Sequence, residues 1–245
     1  LVREQLQCRV RPLGRLDPRF VARSPHSGRM VAKPRHFPGV PPPRVHAVPA
    51  PLRSLLACIL LSGVLGTVHA WSLFIEPYEE ELGVGRGTVS AAYSLALVAL
   101  TLAVLGSHGL FRRLAPTMIA AASSGGSVAG LLLAAGADSL PVLLFGYGLL
   151  FGAANGMGYA FSLQHASEAN PGRRGLSLGL VTAAYALGAA LAGLGLGPRI
   201  EAVGASGALR SMAFVVGTAG LLATCLLLGT PRATLVSQGP PDVPA

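Results

Sequence analysis

Six long apolar segments follow one another along the chain, and short polar breaks separate them. A helix rises about 1.5 Å per residue, so about 20 apolar residues cross a hydrocarbon layer of roughly 30 Å. Each segment approaches or exceeds that length, which predicts an all-α membrane protein built as a bundle of six transmembrane helices. The predicted spans are residues 54–75, 88–107, 116–136, 140–161, 175–197 and 206–229.

Charged residues are scarce and unevenly distributed. The 245 residues are 51% hydrophobic and 12% charged, whereas about a quarter of the residues of a soluble domain are charged. The formal net charge is +9, and all of it arises in residues 1–53, because acids and arginines balance in the remaining chain. The positive charge thus belongs to a leading arm and not to a binding face on a folded domain, so we expect no nucleic-acid partner.

The composition divides the chain into three parts. We predict a disordered basic Pro/Arg-rich arm over residues 1–53, a six-helix transmembrane domain over 54–229 and a short disordered tail over 230–245. The two ends cannot bury enough apolar surface to offset the entropy of ordering. The chain starts with Leu1 and its first methionine is Met30. We therefore expect either a downstream start, which leaves part of the arm untranslated, or a fragment of a longer protein.

Arginines in alternate links between the spans predict the orientation in the bilayer. The arginine-bearing segments alternate with acidic or nearly neutral links, and they contain Arg53, Arg112, Arg113, Arg173, Arg174 and Arg232. Under the positive-inside rule the arginine-bearing segments face the cytoplasm. We expect a multi-pass protein of the inner cell membrane with both termini in the cytoplasm. Three single arginines, Arg86, Arg199 and Arg210, are exceptions on the outer side.

Small residues at regular spacing predict close packing between helices. Gly148, Gly152 and Gly156 recur at intervals of four in the fourth span, so they lie on one face of that helix. In lipid, helices associate where small residues let their backbones approach. The pattern indicates a tightly packed bundle and is only weak evidence for a particular function.

Polar and aromatic side chains inside the spans are the candidate contacts for a solute. Ionisable groups are costly in lipid, so His69, the one titratable base well inside a span, is a functional candidate. Hydrogen bonding between helices would explain the same residues without a ligand, and this alternative stays open. The candidate substrate-binding residues are His69, Trp71, Tyr93, Asn155, Tyr159 and Tyr185.

Signatures of catalysis, metal binding or cofactor binding are absent from the sequence. The three cysteines, Cys8, Cys58 and Cys225, lack the spacing of a zinc site. An intramembrane serine protease needs Gly-x-Ser-Gly followed by a histidine on a later span, whereas residues 123–127 read Ser-Ser-Gly-Gly-Ser and the last two spans contain no histidine. We expect no enzyme activity, no cofactor and no metal.

Three segments together resemble a known transporter family. Residues 88–95 read Thr-Val-Ser-Ala-Ala-Tyr-Ser-Leu, residues 152–159 read Gly-Ala-Ala-Asn-Gly-Met-Gly-Tyr, and residues 171–179 read Pro-Gly-Arg-Arg-Gly-Leu-Ser-Leu-Gly. With the acidic residues 76–81, which we predict to form a loop after the first span, they resemble the amino-terminal half of a major facilitator superfamily (MFS) transporter. The resemblance covers about residues 52–230 and is strongest to the oxalate/formate antiporter and monocarboxylate transporter branch, where a Phe-Pro-x-Arg-Arg-Gly-Leu-Ala-type string opens the fifth helix.

The sequence departs from the family pattern in two places. The loop between helices two and three usually reads Gly-x-x-x-Asp-Arg/Lys-x-Gly, but residues 108–115 here read His-Gly-Leu-Phe-Arg-Arg-Leu-Ala. This loop keeps a positive charge at Arg113 and lacks the acid. Family members have twelve spans, and the basic residues expected to hold a carboxylate lie in the second half, which this chain lacks.

The resemblance implies a secondary transporter, or a truncated half of one, that moves a small organic solute such as a carboxylate by alternating access. It assigns the first and fourth helices to the cavity and the second and fifth to the contact between the two bundles. The expected partners are the lipid bilayer, the solute, and either a second copy of the chain or a separate six-helix half. The alternative is a six-span interaction or scaffold protein without a transport cycle.

Overall fold

The computed structural model describes residues 50–230, so the predicted arm up to residue 49 and the tail from residue 231 lie outside it. All regular structure in the described range is helical. Five helices are long and apolar enough to cross a membrane, which supports the predicted all-α membrane class. They are α1 (Pro51–Leu82), α2 (Arg86–Gly106), α3 (Pro116–Ala135), α4 (Leu140–Ala169) and α5 (Pro171–Leu226).

Helix α1 extends beyond the first predicted span. The sequence predicted a loop at the acidic residues 76–81, and this is wrong, because the helix continues to Leu82. Pro77 occupies the first turn of the Ile75–Leu82 segment, where a missing N–H costs little. Tyr78 anchors the extension, since its buried hydroxyl donates a hydrogen bond of 2.9 Å to the Ala134 carbonyl. Gly83, with φ of 62°, ends the helix.

Helix α5 consists of two segments that run in opposite directions and meet at Gly204. Gly204 has φ of 74° and ψ of 173°, a conformation that essentially only glycine adopts. Arg199 Nε lies 2.9 Å from Ser211 Oγ, although 12 helical residues would separate them by about 18 Å in a straight helix. The predicted link between the fifth and sixth spans, residues 198–205, contains this reversal, although the helix continues through Pro198 and changes direction only at Gly204.

Contacts at the two ends of the bundle show which helix ends lie close together. At one end, Asn170 Nδ2 lies 3.5 Å from the Pro51 carbonyl oxygen, and Arg53 Nη2 lies 3.4 Å from that of Leu228. At the other end, Tyr78 donates to the Ala134 carbonyl. The beginning of α1 and the end of α5 therefore lie at the same end of the bundle.

Glycines bring the helix backbones into direct contact. A Cβ atom placed on Gly152 or Gly156 of α4 would overlap the α2 backbone at Ala96 or Leu100. Gly188 meets the α1 backbone at Gly63 in the same way. The glycine spacing in the fourth span thus marks the face of α4 that packs on α2.

Candidate functional site

Five of the six predicted substrate-binding residues form one connected cluster, which we call the polar cluster. It draws His69 from α1, Tyr93 from α2, Asn155 and Tyr159 from α4, and Tyr185 from α5. His69 Nδ1 and the Tyr93 hydroxyl oxygen lie 2.8 Å apart, within hydrogen-bond distance. Residues that are up to 116 positions apart in sequence thus meet in one cluster.

Aromatic contacts extend the polar cluster across its open side. The rings of His69 and Tyr185 meet edge to face with centroids 5.4 Å apart, and those of Tyr185 and Tyr159 lie 4.5 Å apart. His69 is exposed, and the three tyrosines are half-buried. The accessible part of the polar cluster therefore offers an imidazole, phenol hydroxyls and aromatic faces to a solute.

Asn155 forms the floor of the polar cluster, and it is fully buried. Its Nδ2 donates a hydrogen bond of 2.6 Å to the Leu65 carbonyl of α1. Its Oδ1 accepts one of 3.1 Å from the Tyr185 hydroxyl of α5. Asn155 thus bonds α4 to two neighbouring helices, and a direct contact with a solute would require one of these bonds to open.

Irregular winding in α1 and α4 positions the polar cluster. Residues Gly66–Phe74 of α1 form a 3₁₀ stretch, and Leu144–Phe151 of α4 form a π stretch. Both types are uncommon at this length and often mark functional positions. Tyr147 of the π stretch donates a hydrogen bond of 2.8 Å to the Val68 carbonyl of the 3₁₀ stretch, so each supports the other. The sequence reasoning missed Tyr147, although its place inside a span was the available signal.

Trp71 lies apart from the polar cluster. Its side chain is buried at 1% exposure among aromatic rings, with centroids 4.0 Å from Tyr147, 5.8 Å from Phe74 and 6.0 Å from Tyr78. Its indole Nε1 has no hydrogen-bond partner within the described residues. The structure therefore places the Trp71 side chain in a buried aromatic cluster.

The predicted arginine motifs lie outside the polar cluster, in the links between helices. Arg112 and Arg113 follow a single helical turn, His108–Phe111, and Arg173 and Arg174 lie at the beginning of α5. All four are exposed. The same part of the chain contains no group of three His, Cys, Asp or Glu side chains that could hold a metal ion.

Comparison with known proteins links this arrangement to transporters. No family model matches the chain. It is 28% identical over 134 residues to the oxalate:formate antiporter of Oxalobacter formigenes, a match covering 55% of this chain and 32% of the relative. It is 31% identical over 137 residues to the uncharacterized MFS-type transporter YhjX of Escherichia coli, covering 55% and 34%.

The matched part corresponds to about a third of the length of these curated relatives. Both relatives carry names of transporters, and neither is named as an enzyme. The similarities agree with the helical membrane fold, and they confirm that the chain resembles half of a major facilitator superfamily transporter.

Proposed function

We propose that the chain is one half of a secondary transporter that moves a small carboxylate across the inner cell membrane by alternating access. The observation that carries this proposal is the polar cluster, which four helices build on an accessible side of the bundle. Sites near the bilayer midplane between two helical bundles are typical of such transporters. The name of the Oxalobacter formigenes relative supports oxalate and formate as the first solutes to test.

The proposal includes six membrane crossings with both ends in the cytoplasm. The reversal at Gly204 supports two crossings within α5, because each segment packs separately against α1 or α3. The proximity of Arg53 to Leu228 supports an even number of crossings. The exposed arginines in alternate links support the cytoplasmic assignment of that end.

A second six-helix bundle, or a second copy of the chain, completes the proposed transporter. Half of the most apolar stretch of α1, α3 and α4 is buried within the described bundle, compared with 22% for α2 and 17% for α5. One bundle cannot enclose a cavity that opens alternately to two sides. We propose that the exposed faces of α2 and of the beginning of α5, around Leu176 and Leu180, contact the partner bundle, as the family resemblance implies.

The polar cluster can bind a carboxylate without a fixed charge. Phenol hydroxyls and a histidine N–H donate hydrogen bonds, and such bonds to a charged acceptor contribute about 1.5–3 kcal/mol each. The Tyr159 side chain is half-buried, so part of it is accessible to a solute. When a solute binds, the hydrogen bond between Tyr93 and His69 would open, and their side chains would bond to the solute instead.

Uptake of labelled oxalate and formate into proteoliposomes tests this function. We expect the full chain to exchange at least one of them, and Tyr159→Phe and Tyr185→Phe to lower uptake at equal protein levels. Tyr78→Phe is the matched control, because it also removes a phenol hydroxyl but lies at the end of the bundle, away from the polar cluster. Equal uptake by all three variants would reject the proposed site.

A scaffold protein without a transport cycle is the second candidate. The exposed faces of α2 and α5 favour it, since they could bind another membrane protein. Size analysis of the purified chain alongside the uptake assay separates the two candidates. A stable assembly that exchanges neither carboxylate would support the scaffold.

A further inference from the structure

A long apolar groove runs along α1 and both segments of α5, and its lining includes no residue of the polar cluster. Its volume is about 480 Å³. Ile59 and Val64 of α1, Leu187 and Leu191 of the first α5 segment, and Met212 of the second form its walls. We call it the acyl groove, for reasons given below.

The dimensions of the acyl groove suit a hydrocarbon chain. Its apolar lining on the first segment of α5 extends from Ala184 to Leu196, which corresponds to about 18 Å along a helix and is close to one leaflet of a bilayer at roughly 15 Å. Gly195 contributes to the open wall, because a Cβ atom built there would meet nothing within 4 Å. The groove is therefore long, apolar and unfilled by the protein's own side chains.

A second, charged groove adjoins one end of the acyl groove. Its volume is about 510 Å³, and the two share Arg199, Ser211 and Val215. Arg210 also lines it, and both arginines are exposed. Arg199 Nε donates to Ser211 Oγ at 2.9 Å, which leaves its terminal amino groups available. No acidic side chain lines either groove.

We propose that the two grooves together bind one anionic phospholipid, with an acyl chain in the acyl groove and the phosphate at Arg199 and Arg210. Guanidinium groups match phosphate oxygens in geometry and charge. The bilayer supplies amphipathic molecules of this shape, and arginines near its surface favour the anionic ones. Lipid binding would also give a role to Arg199 and Arg210, which are two of the three arginines on the outer side that do not follow the positive-inside rule.

Lipid binding to the purified full chain, measured by native mass spectrometry, tests the proposal independently of transport. Phosphatidylglycerol and phosphatidylcholine with identical acyl chains are the two probes. We expect phosphatidylglycerol to bind more tightly, with each arginine contributing roughly a fivefold preference. The double variant Arg199→Gln/Arg210→Gln should bind both lipids equally.

Two further variants separate this site from general lipid adhesion. Arg86→Gln removes another outer arginine that lines neither groove, and it should keep the full preference. Gly195→Leu fills the acyl groove and should weaken binding of both lipids. If Arg199→Gln fails to fold, Arg210→Gln alone serves, since its side chain is exposed. Equal affinity of the unmodified chain for both lipids, or an unchanged preference in the arginine variants, overturns the proposal.

Discussion

Tyr185 donates a hydrogen bond of 3.1 Å to Asn155 Oδ1, and this bond joins α5 to α4 beneath the polar cluster. The same amide donates to the Leu65 carbonyl of α1. Leu65 immediately precedes the 3₁₀ stretch that carries His69. Asn155 therefore couples the packing of three helices to the position of the residues proposed to contact the solute.

Replacement of Asn155 by alanine should destabilise the bundle as well as lower uptake. The change leaves the Leu65 carbonyl and the Tyr185 hydroxyl without their partner, and hydrogen bonds between membrane helices contribute about 1 kcal/mol each. We expect a lower free energy of unfolding in detergent. Asn170→Ala is the control, because Asn170 lies at the end of α4 and bonds only backbone carbonyls near the surface. Identical stability of the two variants would contradict this role.

His69 and Tyr93 should act as a pair. Their 2.8 Å contact orients both side chains, so loss of either partner disturbs the other. We expect His69→Leu and Tyr93→Phe each to reduce uptake, and the double variant to be little worse than the more damaging single one. A double-mutant cycle on uptake rates measures this coupling. Strictly additive effects would show that the two residues act independently.

Gly156 should tolerate no side chain, because it meets the Leu100 backbone of α2. Gly156→Ala should separate α4 from α2 and lower the free energy of unfolding by about 1–3 kcal/mol. Gly179→Ala is a matched control in α5, where the added methyl group meets nothing within 4 Å. We expect that control to be neutral or slightly stabilising, since alanine favours helix. Thermal unfolding of both variants checks the difference.

The apolar pattern predicted most of the helices but missed where two of them end. Hydropathy detects apolar segments, and it therefore assigned the acidic residues 76–81 to a loop. Tyr78 holds this stretch helical by a long-range bond to Ala134 that no local pattern reveals. In α5, the predicted link at residues 198–205 contains the reversal, but the fifth span ends later than residue 197, because the helix continues through Pro198 and turns only at Gly204, which has φ of 74°.

The sequence identified most residues of the polar cluster but did not identify its exact members. Rare polar groups inside spans identify candidates, because lipid penalises them unless they are bonded or functional. Trp71 lies two residues after His69, which is about 200° around a regular α-helix, so the two side chains do not share a face. Helical spacing therefore separates Trp71 from His69, and Trp71 became a candidate only through its place beside His69 in the first span.

Solute protection of a cysteine beside His69 tests the central claim most directly. Ser72 is exposed and lies three residues after His69, on the same face of the 3₁₀ stretch. In a chain whose cysteines are replaced by alanine, oxalate or formate should slow thiol labelling of Ser72→Cys. Labelling of Glu80→Cys, an exposed position near the end of α1, should not change. No protection of Ser72→Cys by either carboxylate, or equal protection at both positions, would contradict solute binding at the polar cluster.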